Sequence, residues 1–257
     1  MITSTANRRV KWVRALQNKR QAREKERAFV LEGKRLAYEA VAAESPIHLV
    51  LHTDHLDERG RGLVNSMARL GAETAVVSDA VMAACSSTES PQGILLVLPI
   101  PSLPLPKSLT LALIIDRLAD PGNLGTILRT ALAAGVEAAF LAEGTVDPFN
   151  PKVVRGAMGA HFYLPMATIQ IVDLPEQLTG LDMWITDAVG GVPYYNVDWR
   201  PPITLVVGAE AQGIQPTLRE KAIGQVHIPM SGKTESLNAA IATAVILFEI
   251  SRQRGER

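Results

Sequence analysis

The fold of this chain is decided by residues 109–134, whose sequence is LTLALIIDRLADPGNLGTILRTALAA. The apolar run Leu109–Ile115 predicts a buried strand, and the Pro-Gly turn after it leads into a predicted helix over Leu124–Ala134. Asn123 suits the N-cap of that helix. Arg129 then lies on its second turn, close to the helix start. Taken alone, the two residues are also explained as a capping asparagine and an exposed surface arginine.

Strands and helices alternate along the rest of the chain after this unit. Apolar strand runs that alternate with helices indicate a mostly parallel sheet covered on both faces. The predicted strands are Ala138–Ala142, Leu164–Ile169, Met183–Ala188, Ile203–Gly208 and Val226–Met230, and the predicted helices are Pro151–Met158 and Glu235–Arg252. Ligands of such sheets bind at the carboxyl ends of the strands. The loops after Ile115, Val207 and Ile228 are therefore the candidate site.

Glycine-rich and polar segments occupy these strand ends. In residues 207–213, of sequence VGAEAQG, Gly208 and Gly213 allow a ligand to approach the backbone closely, and Glu210 lies between them. The loop after Ile228 enters the last helix through a polar segment in which Asn238 needs a partner for its amide. Three such loops at three strand ends of one sheet predict a functional site.

A smaller α/β domain precedes this sheet. Its predicted strands are Phe29–Leu31, Ile47–Leu51, Glu73–Val77 and Ile94–Leu98, with helices between them and a basic helix over residues 8–27. Prolines at 99, 101, 104 and 106 predict a stiff extended linker. We therefore predict an N-terminal domain over residues 1–98, a linker over 99–108 and a C-terminal domain over 109–257.

The charge of the chain is unevenly distributed. The formal net charge is zero, yet residues 1–35 hold 11 Lys or Arg against three Glu. A basic end on an acidic body favours a polyanion as partner. A solvated charged helix and an organelle transit peptide are the alternatives, the latter because the first 23 residues contain no acid. The predicted phosphate contacts are Arg8, Arg9, Lys11, Arg14, Lys19 and Arg20.

The composition excludes several classes of protein. Apolar residues make up 47% and charged residues 20% of the chain, which is typical of a globular protein rather than a disordered one. No apolar run reaches the ~18 residues that span a bilayer, and no secretory signal is expected. The single cysteine, Cys85, excludes a disulfide framework and favours a reducing cytoplasm. The five histidines have no metal-ligand spacing, so we expect no metal.

The three loops resemble the signature motifs of the SpoU, or TrmH, family of RNA 2′-O-ribose methyltransferases within the SPOUT superfamily. Motif one matches Asn123, Gly125 and Arg129 and continues through residues 147–155, DPFNPKVVR. Motif two matches Gly208, Glu210 and Gly213, and motif three matches Ile228-Pro229-Met230, Gly232 and Glu235-Ser236-Leu237-Asn238. The N-terminal part resembles the family's L30e-type substrate-binding domain at residues 32–36, EGKRL, and 90–93, SPQG. At Ala239-Ala240 the chain departs from the Val-Ser of many relatives, and both pairs are small.

The resemblance implies a fold that periodicity does not show. It implies a deep trefoil knot in the C-terminal domain, S-adenosylmethionine (SAM) held in the knot loops, and a homodimer through that domain. The implied cofactor-binding residues are Gly208, Gly213, Ile228, Met230 and Leu237. The implied catalytic residues are Arg129, Asn123, Glu210, Ser236 and Asn238.

The resemblance therefore implies a SAM-dependent RNA 2′-O-ribose methyltransferase. Because a guanidinium has a pKa above ~12, we interpret Arg129 as a group that stabilises the developing alkoxide rather than as a base. The L30e-like domain and the basic segment favour ribosomal RNA of the large subunit. The alternatives are a tRNA 2′-O-methyltransferase, a non-enzymatic RNA-binding protein and a small-molecule α/β enzyme. We expect a cytoplasmic location and no membrane partner.

Overall fold

The computed structural model describes residues 1–208, 213–232 and 236–255. The chain divides into two compact units. The N-terminal unit comprises Met1–Pro101 together with Asp147–Phe162, and the C-terminal unit comprises Ser102–Val146 and Tyr163–Arg257. The division after Pro101 falls within the predicted linker, whereas the sequence does not anticipate that residues 147–162 belong to the N-terminal unit.

The described elements follow one another along the chain as helices α1–α9 and strands β1–β11. They are α1 (Arg8–Asn18), α2 (Arg20–Glu26), β1 (Ala28–Glu32), α3 (Lys34–Ala42), β2 (Leu49–His52), α4 (Glu58–Arg69), β3 (Glu73–Val76), α5 (Asp79–Cys85), β4 (Ile94–Pro99), β5 (Leu111–Asp116), α6 (Pro121–Ala133), β6 (Ala138–Ala142), α7 (Pro151–Ala157), β7 (Met166–Ile169), β8 (Asp182–Thr186), β9 (Val192–Pro193), β10 (Ile203–Gly208), α8 (Pro216–Lys221), β11 (Gly224–His227) and α9 (Ala239–Arg254). In the described residues, no helix has the length and apolar content needed to cross a membrane.

The N-terminal unit is built on a mixed sheet with the strand order β1-β4-β2-β3. The predicted basic helix over residues 8–27 is wrong in one respect, because the structure has two helices with an extended residue, Lys19, between them. The buried Arg23 explains the break. Its Nη1 donates to the carbonyl of Leu16 at 2.5 Å, so a carbonyl near the end of α1 is satisfied by a side chain instead of a further helical turn.

Residues 147–162 pack into the core of the N-terminal unit. Val154 and Phe162 belong to the same apolar cluster as Phe29. Asp147 forms an ion pair with the buried Arg23, with 2.6 Å between Nη2 and Oδ2. Removing either partner would leave a buried charge without its counter-ion, which is strongly destabilising. The segment is therefore an integral part of this unit.

The C-terminal unit contains a parallel sheet with the strand order β7-β6-β5-β10-β8-β11-β9. All its described ladders are parallel. The strands β5 and β10 lie side by side at the centre, where Ile115 is paired with Val207 and both are buried. This confirms the predicted α/β fold with a mostly parallel sheet. The trefoil knot stays a prediction.

Two helix starts in the C-terminal unit differ from the sequence-based expectation. The N-cap of α6 is Asp120, whose Oδ1 accepts the N–H of Asn123 at 2.7 Å, so the helix begins at Pro121. Proline is favoured at the first helical position because its missing N–H needs no partner there. Asn238 is not inside α9 but caps it, and its Oδ1 accepts the N–H of Ala240 at 3.0 Å.

Candidate functional site

One cavity of the C-terminal unit lies at the carboxyl ends of β8, β10 and β11, with α9 along one side. This is the position at which parallel sheets bind their ligands. The residues that line it are Thr186, Asp187, Ala188, Val207, Gly208, Gly213, Ile214, Ile228, Met230, Ser236, Leu237, Ala239, Ala242, Thr243 and Ile246. The described part of the wall is largely apolar, with a few hydroxyl-bearing residues and one acidic residue, which is typical of a small-molecule site.

The residues that the resemblance implies for the cofactor lie together in this cavity. Gly208, Gly213, Ile228, Met230 and Leu237 all line it. Ser236, expected among the catalytic residues, lines it as well. Their positions in sequence are up to about thirty residues apart, and the parallel arrangement of β10 and β11 accounts for their meeting. Their roles in binding stay a prediction.

Part of the wall lies outside the loops predicted from the sequence. Thr186, Asp187 and Ala188 line the cavity because β8 ends at Thr186, two residues earlier than predicted. The signal in the sequence is the glycine pair after this strand, since Gly190 and Gly191 both have positive φ and mark a tight loop. The side chains from the first turns of α9 were missed for a different reason, because they look like ordinary core positions of an apolar helix.

Gly208 has a strict steric requirement. A Cβ atom at this position would lie 2.7 Å from Cγ1 of Ile214 and 3.1 Å from the carbonyl of Gly213. Distances this short occur in proteins only if something moves. The glycine therefore lets the segment that begins at Gly213 close against the end of β10, and this contact shapes the cavity wall.

Asp187 is held by a network outside the cavity. Its Oδ2 accepts from Nη2 of Arg219 at 2.6 Å, and its Oδ1 accepts from the N–H of Ala188 at 2.8 Å. Burial raises the pKa of the Asp187 carboxyl, but the hydrogen bonds from Arg219 and from the backbone outweigh this, so its pKa is lowered from the ordinary value. Arg219 also donates to the carbonyl of Ile214 at 3.2 Å and to Oε1 of Gln225 at 3.3 Å. One guanidinium thus joins three segments beside the cavity.

A fully buried carboxylate fixes the same wall. Asp116, fully buried at the end of β5, accepts the N–H of Gln215 at 2.7 Å and its Nε2 at 2.6 Å. Arg117 beside it has a φ of 53° and donates to Oδ1 of Asp116 at 3.2 Å. A carboxylate that accepts several hydrogen bonds is well satisfied despite its burial. The hydrogen bonds between Asp116 and Gln215 connect the loop after β5 with the end of the loop after β10.

The first and third predicted motifs meet at two asparagines. Nδ2 of Asn238 donates to Oδ1 of Asn123 at 2.9 Å, which gives the Asn238 amide the expected partner. Arg129, two turns further along α6, is exposed and has no hydrogen bond or ion pair with the part of the chain that the structure describes. Neither Arg129 nor the two asparagines line the cavity. Glu210 lies outside the described residues.

The six predicted phosphate contacts are all exposed on α1, at Lys19 and at the start of α2. Arg9 forms an ion pair with Glu73, and Arg20 pairs with Glu24 at 2.7 Å. The other four cations, Arg8, Lys11, Arg14 and Lys19, form no ion pair with the described residues. Surface pairs of this kind are worth ~0–1 kcal/mol, so Arg9 and Arg20 can exchange their carboxylates for phosphates.

The two L30e-like motifs of the N-terminal unit lie beside each other. The N–H of Lys34 donates to Oε1 of Gln92 at 3.0 Å, and the N–H of Gly33 donates to the carbonyl of Ile94 at 3.1 Å. Gly33 has a φ of 100° and lies against the Gln92 amide. The start of α3 and the start of β4 are thereby joined.

Comparisons with known proteins agree in both units. A family model described as "SpoU rRNA Methylase family" matches residues 110–248, and one described as "MRM3-like substrate binding domain" matches residues 7–96. The chain is 33% identical to the 23S rRNA (guanosine(2553)-2′-O)-methyltransferase RlmP of Bacillus subtilis, over 97% of this chain and 98% of that protein.

Two solved structures resemble the whole chain. An AdoMet-bound rRNA methyltransferase from Sinorhizobium meliloti matches with a TM-score of 0.87 and 31% identity, covering 98% of this chain and 97% of that chain. The SpoU methyltransferase AviRb from Streptomyces viridochromogenes, in complex with AdoMet, matches with a TM-score of 0.86 and 28% identity, covering 96% and 98%. Both matches extend over the N-terminal and the C-terminal unit.

Proposed function

The chain belongs to the SpoU rRNA methylase family, and we propose that it transfers a methyl group from SAM to a ribose 2′-hydroxyl of large-subunit ribosomal RNA. The observation that carries this proposal is the cavity at the ends of β8, β10 and β11, where the residues implied for the cofactor converge. Relatives that match both units of the chain include a 23S rRNA enzyme and AdoMet-bound structures.

The residues that line the cavity suit SAM in their chemistry. Apolar side chains such as Ile228 and Leu237 offer faces for an adenine ring, and the hydroxyl of Ser236 offers a polar contact. Gly208 and Gly213 both line the cavity, and the close packing at Gly208 shapes its wall. When bound, SAM supplies an electrophilic methyl group on a sulfonium.

Arg129 would act on the RNA rather than on the cofactor. Its guanidinium is exposed and free of ion pairs with the described chain, so it can take a phosphate and stabilise the negative charge that develops on the 2′-oxygen. Asn123 and Asn238 join α6 to the start of α9 and would orient the ribose by hydrogen bonds. Ser236, and Glu210 beyond the described residues, complete the proposed catalytic group.

The exposed cations of α1 and α2 would recruit the RNA. Contacts to phosphate position a nucleic acid but carry little sequence information, which suits residues without fixed partners such as Arg8, Lys11 and Arg14. Ribosomal RNA is the favoured substrate over tRNA because relatives that match both units include a 23S rRNA enzyme and a solved rRNA methyltransferase. A ribosomal substrate and the single buried cysteine support a cytoplasmic location.

The C-terminal unit would form a homodimer. Ile241 and Phe248 on α9 are 54% and 52% exposed, and their spacing of seven positions places both on one face of the helix. Large apolar side chains that share an exposed face are typical of an interface. The partner would be a second copy of this chain.

The proposal is tested by methyl transfer from tritium-labelled SAM to RNA. Large-subunit ribosomal RNA from a strain that lacks the protein, small-subunit RNA and tRNA are compared as substrates. We expect label in large-subunit RNA and in a dinucleotide that resists alkaline hydrolysis, because a methylated 2′-oxygen cannot attack the adjacent phosphate. Label in tRNA alone would support the alternative substrate, and SAM binding without label in any of these RNAs would refute the proposal.

A further inference from the structure

Among the described residues that line the proposed cofactor cavity, Asp187 is the one with an ionisable side chain. The other described lining residues are apolar or carry hydroxyl groups. Arg219, the cation paired with Asp187, does not line the cavity. Of the two partners in this ion pair, the acidic one is therefore the one that borders the ligand space.

The position of this carboxylate is set from outside. The Asp187 carboxylate accepts hydrogen bonds from Arg219, from the N–H of Ala188 and from the backbone of Val189. A carboxylate has about four acceptor sites, so capacity remains for a ligand. Arg219 itself donates to the carbonyl of Ile214 and to Gln225. The position of the Asp187 carboxylate is therefore fixed before a ligand binds. Preorganised charge of this kind costs no rearrangement on binding.

We propose that Asp187 is the counter-ion for the positive charge of the bound cofactor, an inference that rests on the proposed function. SAM carries an ammonium and a sulfonium against one carboxylate, so it is a net cation. The product S-adenosylhomocysteine retains the ammonium but has lost the sulfonium charge. Methylthioadenosine has the same adenosine and thioether but neither positive group.

The test is calorimetric binding of these three ligands to the full-length protein and to Asp187→Asn. This variant keeps the size of the side chain and removes the charge. We expect SAM affinity to fall about tenfold, as for a lost charge-assisted contact, while methylthioadenosine affinity stays within about twofold. An equal loss for S-adenosylhomocysteine would identify the ammonium as the bound group. A loss confined to SAM would identify the sulfonium.

Two other outcomes would overturn the inference. An equal loss for all three ligands would mean that Asp187 contacts the shared adenosine or merely shapes the wall. Unchanged affinities with a lowered melting temperature would mean that the ion pair with Arg219 is structural. If the wild-type protein fails to bind SAM, it is the proposed function that fails, so the two failures are distinguishable.

Two further variants sharpen the result. Asp198→Asn is the matched control, because Asp198 forms an exposed ion pair with Arg200 in the same unit and does not line the cavity. It should leave all three affinities unchanged. Asp187→Glu keeps the charge, so its preference for SAM over methylthioadenosine should exceed that of Asp187→Asn. Equal preferences in the two Asp187 variants would contradict the proposed charge pairing.

Discussion

At the scale of single residues, Arg129 carries the proposed chemistry and can be removed without harm to the described fold. Its side chain is exposed and has no hydrogen bond or ion pair within the described ranges. Arg129→Ala should therefore lower methyl transfer about 100-fold or more, as expected when a group that stabilises transition-state charge is lost. SAM affinity and melting temperature should stay close to wild type. Transfer is measured under single-turnover conditions.

Arg129→Lys should fail as well, because lysine lacks the planar pair of donors that a guanidinium presents to a phosphate. Arg200→Ala is the control, since Arg200 is an exposed arginine of the same unit outside the proposed site. It should keep normal turnover. Normal turnover in Arg129→Ala would remove this residue from the mechanism.

The cavity is better tested at Ala242 than at Gly208. A Cβ at Gly208 would collide with Ile214, so Gly208→Val disturbs the protein itself and lost binding would be ambiguous. Ala242 lines the cavity from α9 and is only partly buried. Ala242→Phe places a ring in the ligand space, and SAM affinity should fall at least about tenfold by calorimetry. Ala133→Phe adds the same ring at an exposed position of α6 and should bind SAM normally.

At the scale of elements, the cationic face of α1 makes a prediction about salt. If about four cations of the N-terminal segment neutralise phosphates, the log–log slope of RNA affinity against salt should be near −3, from ~0.7 per contact on a single strand. Replacing Arg8, Arg9, Lys11 and Arg14 by Gln should bring this slope towards zero. These side chains are exposed, so the fold should tolerate the change. Equal slopes for both proteins would show that this face does not contact RNA.

The sequence predicts the regular elements better than their ends. The strand Ala138–Ala142 and the strand Ile203–Gly208 have the predicted bounds, because each is an apolar run between clear breaks. The start of α6 was misplaced because Asp120 and Asn123 are both good caps, and the backbone of the Pro-Gly turn decides between them. Asp187 was missed because an Asp-Ala pair after a strand has no distinctive spacing.

Contacts between residues far apart in the sequence could not be predicted from the sequence either. The ion pair between Arg23 and Asp147 joins positions that are 124 residues apart, so periodicity in either segment gives no sign of it. Arg23 counts as one of the basic residues of the N-terminal segment, yet it is buried and committed to this pair. The net charge of a segment therefore overstates the number of cations that can reach RNA.

At the scale of the whole molecule, the N-terminal unit contains residues 147–162 as well as residues 1–101. This limits how its role in RNA binding can be tested by truncation. Deleting residues 1–102 would leave Val154 and Phe162 without the core that covers them, and Asp147 without Arg23. Such a truncated protein would expose apolar surface and misfold for reasons unrelated to RNA. Substitutions in the full-length chain, as in the α1 variant, avoid this.

The outward face of α9 predicts the oligomeric state. The wild-type protein should sediment as a dimer at micromolar concentration. The double variant Ile241→Glu and Phe248→Glu should sediment as a monomer, because two carboxylates would be buried at the interface without partners. Val172→Glu is the control, since Val172 is 80% exposed outside this helix and the change should leave the dimer intact. A monomeric wild type would contradict the proposed interface.

A dimer also allows Arg129 to act on the cofactor of the other subunit, since it does not line the cavity of its own chain. Mixing Arg129→Ala with Ala242→Phe decides this. In a mixed dimer, one site then combines an intact cavity from the first variant with an intact Arg129 from the second. Activity should therefore return to about a quarter of wild type after random exchange of subunits in a symmetric dimer. If Arg129 serves the cavity of its own chain, each site has one defect and the mixture stays as inactive as its components.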